Sequence, residues 1–136
     1  MHGTTHRRLC GVLGAGLLLL AGGVVAVVGR HVLRTPTMMA QLGLLTVSGA
    51  LDIVAAFENP LTARIDWFRL GGLANVALGL ALPVGALGWT TARDATGLFL
   101  FVVTAVGGCA LAAIGVDLWL AAGAHVYDRP LDADGN

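Results

Sequence analysis

Three polar residues that could take part in chemistry stand inside long apolar runs: Asp52, Asn75 and Asp117. A charged carboxylate at the middle of a membrane costs about 2.5–3.5 kcal/mol, so it usually faces other helices and has a partner. Two carboxylates in a medium of low dielectric constant share a proton or a bound cation, because both cannot carry their charge freely. Asp52, Asn75 and Asp117 are therefore candidates for binding an ion or a proton, with Asn75 as a neutral hydrogen-bond partner.

A structural role for the same residues is the alternative. Each aspartate stands within two helical turns of the end of its run, where it could pair with Arg7, Arg8, Arg64 or Arg69. It could also be neutral and accept a hydrogen bond from Asn75. In either case it would only fix the register of the helices, and we weight this alternative above ion or proton handling.

The runs that carry these residues are long enough to cross a bilayer. About 20 apolar residues span a hydrocarbon core roughly 30 Å thick, since a helix rises 1.5 Å per residue. The sequence predicts transmembrane helices at about 9–28, 37–57, 70–89 and 96–124, followed by a polar tail at 127–136. The expected fold is an all-α membrane protein with a single domain, in which four helices form an antiparallel up-and-down bundle.

In such a bundle the three polar residues would lie at one depth. Asp52 stands near the end of the second run, Asn75 near the start of the third and Asp117 near the end of the fourth. All three are then about 8–11 Å in from the same face, at 1.5 Å per residue. Gln41, Ser48 and Asp52 share one side of the second helix, because spacings of seven and four residues return to the same face.

The connection between the second and third runs carries a helix-start signal. Asn59 is a good N-cap residue, and Pro60 suits the first position of a helix. Apolar and polar residues then alternate at helical spacing over 61–69. This pattern fits a short amphipathic helix at the membrane interface, or the first turns of a longer third helix. Asp94 is expected to cap the fourth helix.

Arginine counts predict the orientation, since basic residues in short loops favour the cytoplasmic side. Five arginines fall on one side of the predicted bundle and three on the other: Arg7, Arg8, Arg64, Arg69 and Arg129 against Arg30, Arg34 and Arg93. We expect a cell-membrane protein with both termini in the cytoplasm. We also expect the first helix to be retained, because its apolar run exceeds the roughly 7–15 residues of a signal peptide.

Composition narrows the class of partner. Hydrophobic residues make up 57% of the 136 residues, charged residues 12%, and the net charge is zero. A chain without a basic surface has no electrostatic attraction for nucleic acid, so we expect the lipid bilayer and no nucleic acid as partner. All eight basic residues are arginine. We interpret this as a GC-rich prokaryotic coding bias.

Small residues recur at helical spacing, which lets helix backbones approach closely in lipid. One set lies on the first helix and another on the fourth: Gly11, Ala15, Leu18, Gly22 and Gly29; Ala105, Gly108, Ala112 and Gly115. We expect both sets to make tight helix contacts, either within the chain or with a second copy or a membrane protein partner.

No residue pattern indicates catalysis, a cofactor or a metal site. His31 and His125 belong at opposite faces of the predicted bundle, and no histidine falls inside a predicted helix. His2 and His6 have metal-compatible spacing but stand in an N-terminal segment that we expect to be flexible. Cys10 should differ in depth from the other cysteine, so we expect two free thiols that are buried as small apolar residues.

Two functions fit these observations. The first, which the sequence favours, is a non-enzymatic structural or accessory membrane subunit that packs through its glycine faces. The alternative is a minimal proton- or cation-coupled carrier or channel that uses Asp52 and Asp117 as a titrating pair.

Overall fold

The computed structural model describes residues 2–29, 34–89 and 95–125, and the regular structure within them is helical. Several sequence predictions concern residues outside these ranges. They are the cap Asp94, the polar tail at 127–136, the histidine His31, and the arginines Arg30, Arg93 and Arg129.

Four helices make up the fold: α1 (His2–Val28), α2 (Pro36–Ala56), α3 (Trp67–Trp89) and α4 (Ala95–Ala121). Each has the length and apolar composition needed to cross a membrane. The prediction of four long apolar helices is confirmed. Proline suits the start of α2, because an N–H group in the first turn of a helix has no hydrogen-bond partner within the helix and its absence costs nothing.

The helices pack in chain order. Extensive contacts join α1 to α2, α2 to α3 and α3 to α4. Residues early in one helix meet residues late in the next, as where Arg7 of α1 contacts Ala55 and Glu58. Only 11% of the apolar span of α1 and of α4 is buried, against 44% of that of α3. The two outer helices therefore present most of their apolar surface to the surroundings.

A small apolar cluster joins the first three helices. Ala21 of α1, Leu45 of α2 and Ala81 of α3 are buried together, and leucines of all three helices pack around them. Two of the three central residues are alanines, which allows the backbones to approach and gain dispersion contacts along their length.

Glycines bring α3 and α4 into backbone contact at two levels, seven residues apart. An added Cβ atom on Gly72 would lie 2.6 Å from the carbonyl oxygen of Gly115, and one on Gly79 would lie 2.5 Å from that of Gly108. The predicted tight-contact face of α4 thus packs on α3 within the same chain.

The predicted small-residue face of α1 is only partly used. An added Cβ atom on Gly11 would lie 3.1 Å from Cβ of Ala56, whereas one on Gly22 would meet nothing within 4 Å. Gly14, which the prediction left out, makes the closest approach to α2. There an added Cβ atom would lie 2.6 Å from the oxygen of Gly49.

Residues 60–64 form a hydrogen-bonded turn, and α3 begins separately at Trp67. The Asn59 Oδ1 atom accepts hydrogen bonds from the amides of Leu61 and Thr62, at 2.9 and 3.0 Å. Asn59 therefore caps the turn that follows it, with the hydrogen bonds expected of an N-cap residue. The segment after it is one turn, however, and not the amphipathic helix or the extension of α3 that the pattern suggested.

Candidate functional site: a carboxylate in an interhelical cavity

A cavity of about 190 Å³ lies where the starts of α1 and α3 meet the ends of α2 and α4. Its polar lining consists of Asp52 and Asn75, two of the three predicted site residues, with His6 and Cys10. The remaining lining is aromatic, apolar or glycine: Trp67, Phe68, Leu9, Leu13, Gly71 and Leu118.

Asp52 is the buried ionisable group of this cavity, with 7% of its surface exposed. Its carboxylate has no hydrogen-bond or ion-pair partner among the described residues. Every fully buried side-chain nitrogen or oxygen atom in the described part of the chain does have a partner. The Asp52 oxygens are therefore not sealed in packed protein, and they open into the cavity.

Backbone contacts between α1 and α2 make the space around Asp52. Gly14 faces the carboxylate-bearing residue so closely that an added Cβ atom would lie 2.9 Å from Cβ of Asp52. Gly49, one turn earlier on α2, faces Gly14 in return, with an added Cβ atom 2.9 Å from its oxygen. Two glycines in register thus let α1 lie directly against α2 beside Asp52.

The rotation of α2 on α3 is set by Ser48. Its side chain is fully buried, and its hydroxyl donates a hydrogen bond of 2.8 Å to the carbonyl oxygen of Ala74. Since Asp52 follows Ser48 by one turn and Asn75 follows Ala74 directly, this bond brings Asp52 and Asn75 to the same cavity. The Gln41 side chain also reaches α3, where it lies against Gly85. The predicted polar stripe of α2 therefore faces α3.

Asp117 has a different partner. Its Oδ1 atom lies 2.6 Å from Nδ1 of His125, and its Oδ2 atom accepts a hydrogen bond of 3.3 Å from the His125 amide. Its backbone oxygen accepts a further hydrogen bond from Gly123, at 3.2 Å. Asp117 thus holds the turn that follows α4, where Gly123 takes a positive φ of 77°. Leu118, the next residue, lines the cavity, and Asp117 does not.

The arginines named as alternative partners of Asp52 are engaged elsewhere or lie apart from it. Arg7 forms an ion pair of 3.3 Å with Glu58 and also donates to the oxygen of Ala55. Arg69 pairs with Asp66 at 3.6 Å. Within the described residues, Asp52 is therefore a carboxylate that no arginine neutralises.

His6 and Cys10 are cavity residues that the sequence prediction missed. It began the first helix at Leu9, whereas α1 begins at His2. The prediction that no histidine lies inside a helix is therefore wrong for His6. The signal was present in the spacing, since residues four apart share a helix face and both are half-buried. The two cysteines are free, as predicted, although Cys109 is exposed rather than buried.

Trp67 lines this cavity and also a second one. The second cavity has a volume of about 350 Å³, and Arg7, Glu58, Asp66 and Trp67 are among the residues that line it. Trp67 also packs edge-on against Phe68, with ring centroids 6.0 Å apart. Trp67 is therefore shared by the linings of the two cavities.

The polar set around Asp52 suits a single positive charge or a proton. One carboxylate supplies the negative charge, and the amide, imidazole and thiol can donate or accept hydrogen bonds. No group of three His, Cys, Asp or Glu side chains in the described ranges is arranged to hold a metal ion.

Comparison with known proteins identifies a family without giving an activity. The model of a family of unknown function, DUF7994, matches residues 5–131, so the chain belongs to this family. Neither the curated proteins nor the solved structures contain a match.

Proposed function

We propose that this member of the DUF7994 family is a multi-pass protein of the cell membrane, with its helices arranged up and down and both termini in the cytoplasm. Four helices of sufficient length and apolar composition support the membrane location. The excess of arginine on the side of the N-terminus and of the 58–69 connection supports the orientation. The cavity around Asp52 would then open near the cytoplasmic face.

The function that the geometry supports best is a minimal carrier or channel for protons or monovalent cations, with Asp52 as the binding group. The single observation that carries this proposal is the buried Asp52 carboxylate that opens into a cavity and has no partner in the described chain. The proposed activity is non-enzymatic.

Burial of an unpaired charge carries a free-energy cost. A carboxylate placed among apolar helices normally pairs with a basic side chain, because an unpaired charge there is destabilising. Asp52 has no such pair in the described structure, and a cavity reaches it instead. A proton or a cation that enters the cavity can supply the missing positive charge. Asn75 stands in the same cavity and can offer a hydrogen bond to the bound species or to the carboxylate.

This proposal separates the two predicted aspartates. The sequence paired Asp52 with Asp117, and we now assign binding to Asp52 with Asn75. The contacts of Asp117 with His125 and Gly123 support a local role at the end of α4.

Flux measurements in proteoliposomes test the assignment. Purified protein is reconstituted, a membrane potential is imposed, and entry of protons, Na⁺ or K⁺ is followed with internal dyes. We expect flux of at least one of these ions in the unmodified protein and loss of that flux in Asp52→Asn, which keeps the shape but not the charge. Asp52→Glu should retain part of it. Asp66→Asn is the matched control and should leave flux unchanged, since Asp66 lies outside the cavity.

Asp117→Asn decides whether one or two carboxylates act. Retained flux in this variant supports Asp52 as the binding group, whereas equal loss in Asp52→Asn and Asp117→Asn would return the function to the pair. Normal flux in correctly folded Asp52→Asn would refute both versions.

A structural or accessory role is the second candidate, and one observation favours it. Added Cβ atoms on Gly16, Gly22 and Gly23 of α1 would meet nothing within 4 Å, although other glycines of the chain pack against neighbouring helices. These three could contact a second copy or another membrane protein. Crosslinking in native membranes tests this, with Gly16→Leu and Gly23→Leu as disrupting variants. A strictly monomeric protein with no crosslinked partner would contradict it.

A further inference from the structure

We propose that the Asp52 cavity binds a small organic cation, an alkylammonium ion about the size of benzene, and that the ring of Trp67 contacts this ion. The inference rests on the proposed function, because it uses the same carboxylate, and it adds the chemical class of the ligand.

The volume of the cavity is large enough for a small organic ion. A single water molecule takes about 30 Å³ of liquid, and an apolar cavity of about 150 Å³ admits benzene. The Asp52 cavity is about 190 Å³. It is therefore larger than one dehydrated inorganic ion requires, and it has room for a compact organic body beside the carboxylate.

The cavity lining combines one acidic side chain with apolar side chains. Asp52 is the acidic side chain of the lining, and it faces a surface to which Leu9, Leu13 and Leu118 contribute. Divalent metal ions demand several oxygen ligands around one centre, which this surface does not offer. An alkylammonium ion fits both parts, since its charge meets the carboxylate and its carbon atoms contact the leucines and lose their exposure to water.

Trp67 supplies an aromatic ring to the lining of the cavity. The face of a tryptophan ring attracts cations, and aromatic side chains are the usual recognition elements for quaternary ammonium groups. Trp67 lines the Asp52 cavity, so its ring lies among the groups that surround the carboxylate.

Calorimetric titration of the protein in lipid nanodiscs tests the proposal, with tetramethylammonium chloride as the titrant. Sodium chloride at equal ionic strength serves as the reference. We expect saturable binding of tetramethylammonium that excess Na⁺ does not abolish. Asp52→Asn should weaken binding at least tenfold, and Asp52→Glu should restore most of it. Trp67→Leu should weaken binding about fivefold, the size expected for one cation–π contact.

Two controls distinguish this proposal from its premise. Asp66→Asn should bind tetramethylammonium as the unmodified protein does, because Asp66 is not part of the Asp52 cavity. Tetrabutylammonium should bind much more weakly, since it exceeds the space available.

The outcomes distinguish failure of the organic-cation proposal from failure of the proposed function. Absence of tetramethylammonium binding in protein that still conducts protons or Na⁺ through Asp52 would overturn the organic-cation proposal and leave the proposed function standing. Absence of both would overturn both. Binding that is unchanged in Asp52→Asn, or unchanged in Trp67→Leu, would also overturn the proposal, because it would place the ligand elsewhere.

Discussion

Gly79 of α3 and Gly108 of α4 touch through their backbones, and neither has room for a side chain. An added Cβ atom on Gly79 would lie 2.5 Å from the oxygen of Gly108 and 3.0 Å from the amide nitrogen of Ala112. These neighbours are backbone atoms, which cannot move aside as the end of a flexible side chain would. The distance between α3 and α4 is therefore fixed by the absence of two methyl groups.

Gly79→Ala should destabilise the protein by about 1–3 kcal/mol, the usual cost of overpacking. The measurement is thermal unfolding in detergent, followed by loss of the helical circular dichroism signal. Gly107→Ala is the matched control on α4, since an added Cβ atom there would meet nothing within 4 Å. Its stability should change by less than about 0.5 kcal/mol. Equal melting temperatures for the two variants would contradict the close approach.

Ser48→Ala should cost about 0.6 kcal/mol, the average for interhelical hydrogen bonds in a membrane protein, and no more than the maximum of about 1.7 kcal/mol. The substitution removes the bond to the oxygen of Ala74 and with it the contact that sets the rotation of α2 on α3. Thr46→Ala is the control, because the Thr46 hydroxyl is bonded to Leu42 of its own helix. Unfolding in increasing concentrations of SDS compares the variants. A larger loss from Thr46→Ala would show that the Ser48 bond does not hold the interface.

Asn59→Ala should open the turn between α2 and α3 at a cost of about 0.5–2 kcal/mol, the range for loss of a side-chain cap. Besides the two bonds that its Oδ1 atom accepts, the Asn59 side-chain amide donates to the oxygens of Val54 and Phe57, at 2.8 and 3.0 Å. Asn59→Asp keeps an acceptor but no donor, so its loss should be intermediate. Hydrogen exchange at the amides of Leu61 and Thr62 should quicken in the same order. Unaltered exchange in Asn59→Ala would argue that the backbone alone forms the turn.

Reporter fusions should place both ends of the chain in the cytoplasm. A reporter that is active only in the cytoplasm should work when fused after Asn136 and fail when inserted in the 30–37 connection. A reporter that is active only outside should give the reverse pattern and serves as the control. Activity of the cytoplasmic reporter in the 30–37 connection alone would invert the orientation and place the Asp52 cavity near the outer face.

The level of each polar residue along its helix was predictable from the sequence, whereas the direction of its side chain was predictable only in part. The level follows from the rise per residue, which is the same for every helix. Direction depends on which face of the helix packs. α2 carries a polar stripe, which made its packing face predictable from the sequence. Asp52 does lie on the side that packs against α3. α4 is apolar on nearly all sides, and no pattern indicated that Asp117 would turn toward His125.

The start of α1 shows a second limit of the same kind. Hydrophobicity marks where an apolar run begins, but a helix continues as long as its backbone hydrogen bonds are favourable. The polar residues before Leu9 belong to α1 for that reason, and they bring His6 to the cavity and Arg7 to Glu58. Part of the cavity lining therefore comes from residues that the sequence analysis had placed before the first helix.

The packing of helices in chain order has a consequence for biogenesis. Each extensive interface joins two helices that leave the ribosome one after the other, so it can form as soon as the second of them has been synthesised. Chains dominated by such local contacts have low contact order and fold quickly, because no long loop must close first. The cavity wall formed by α1 and α2 would therefore exist as a nascent hairpin. Trp67 and Asn75 would join it with α3, and Leu118 would complete the lining with α4.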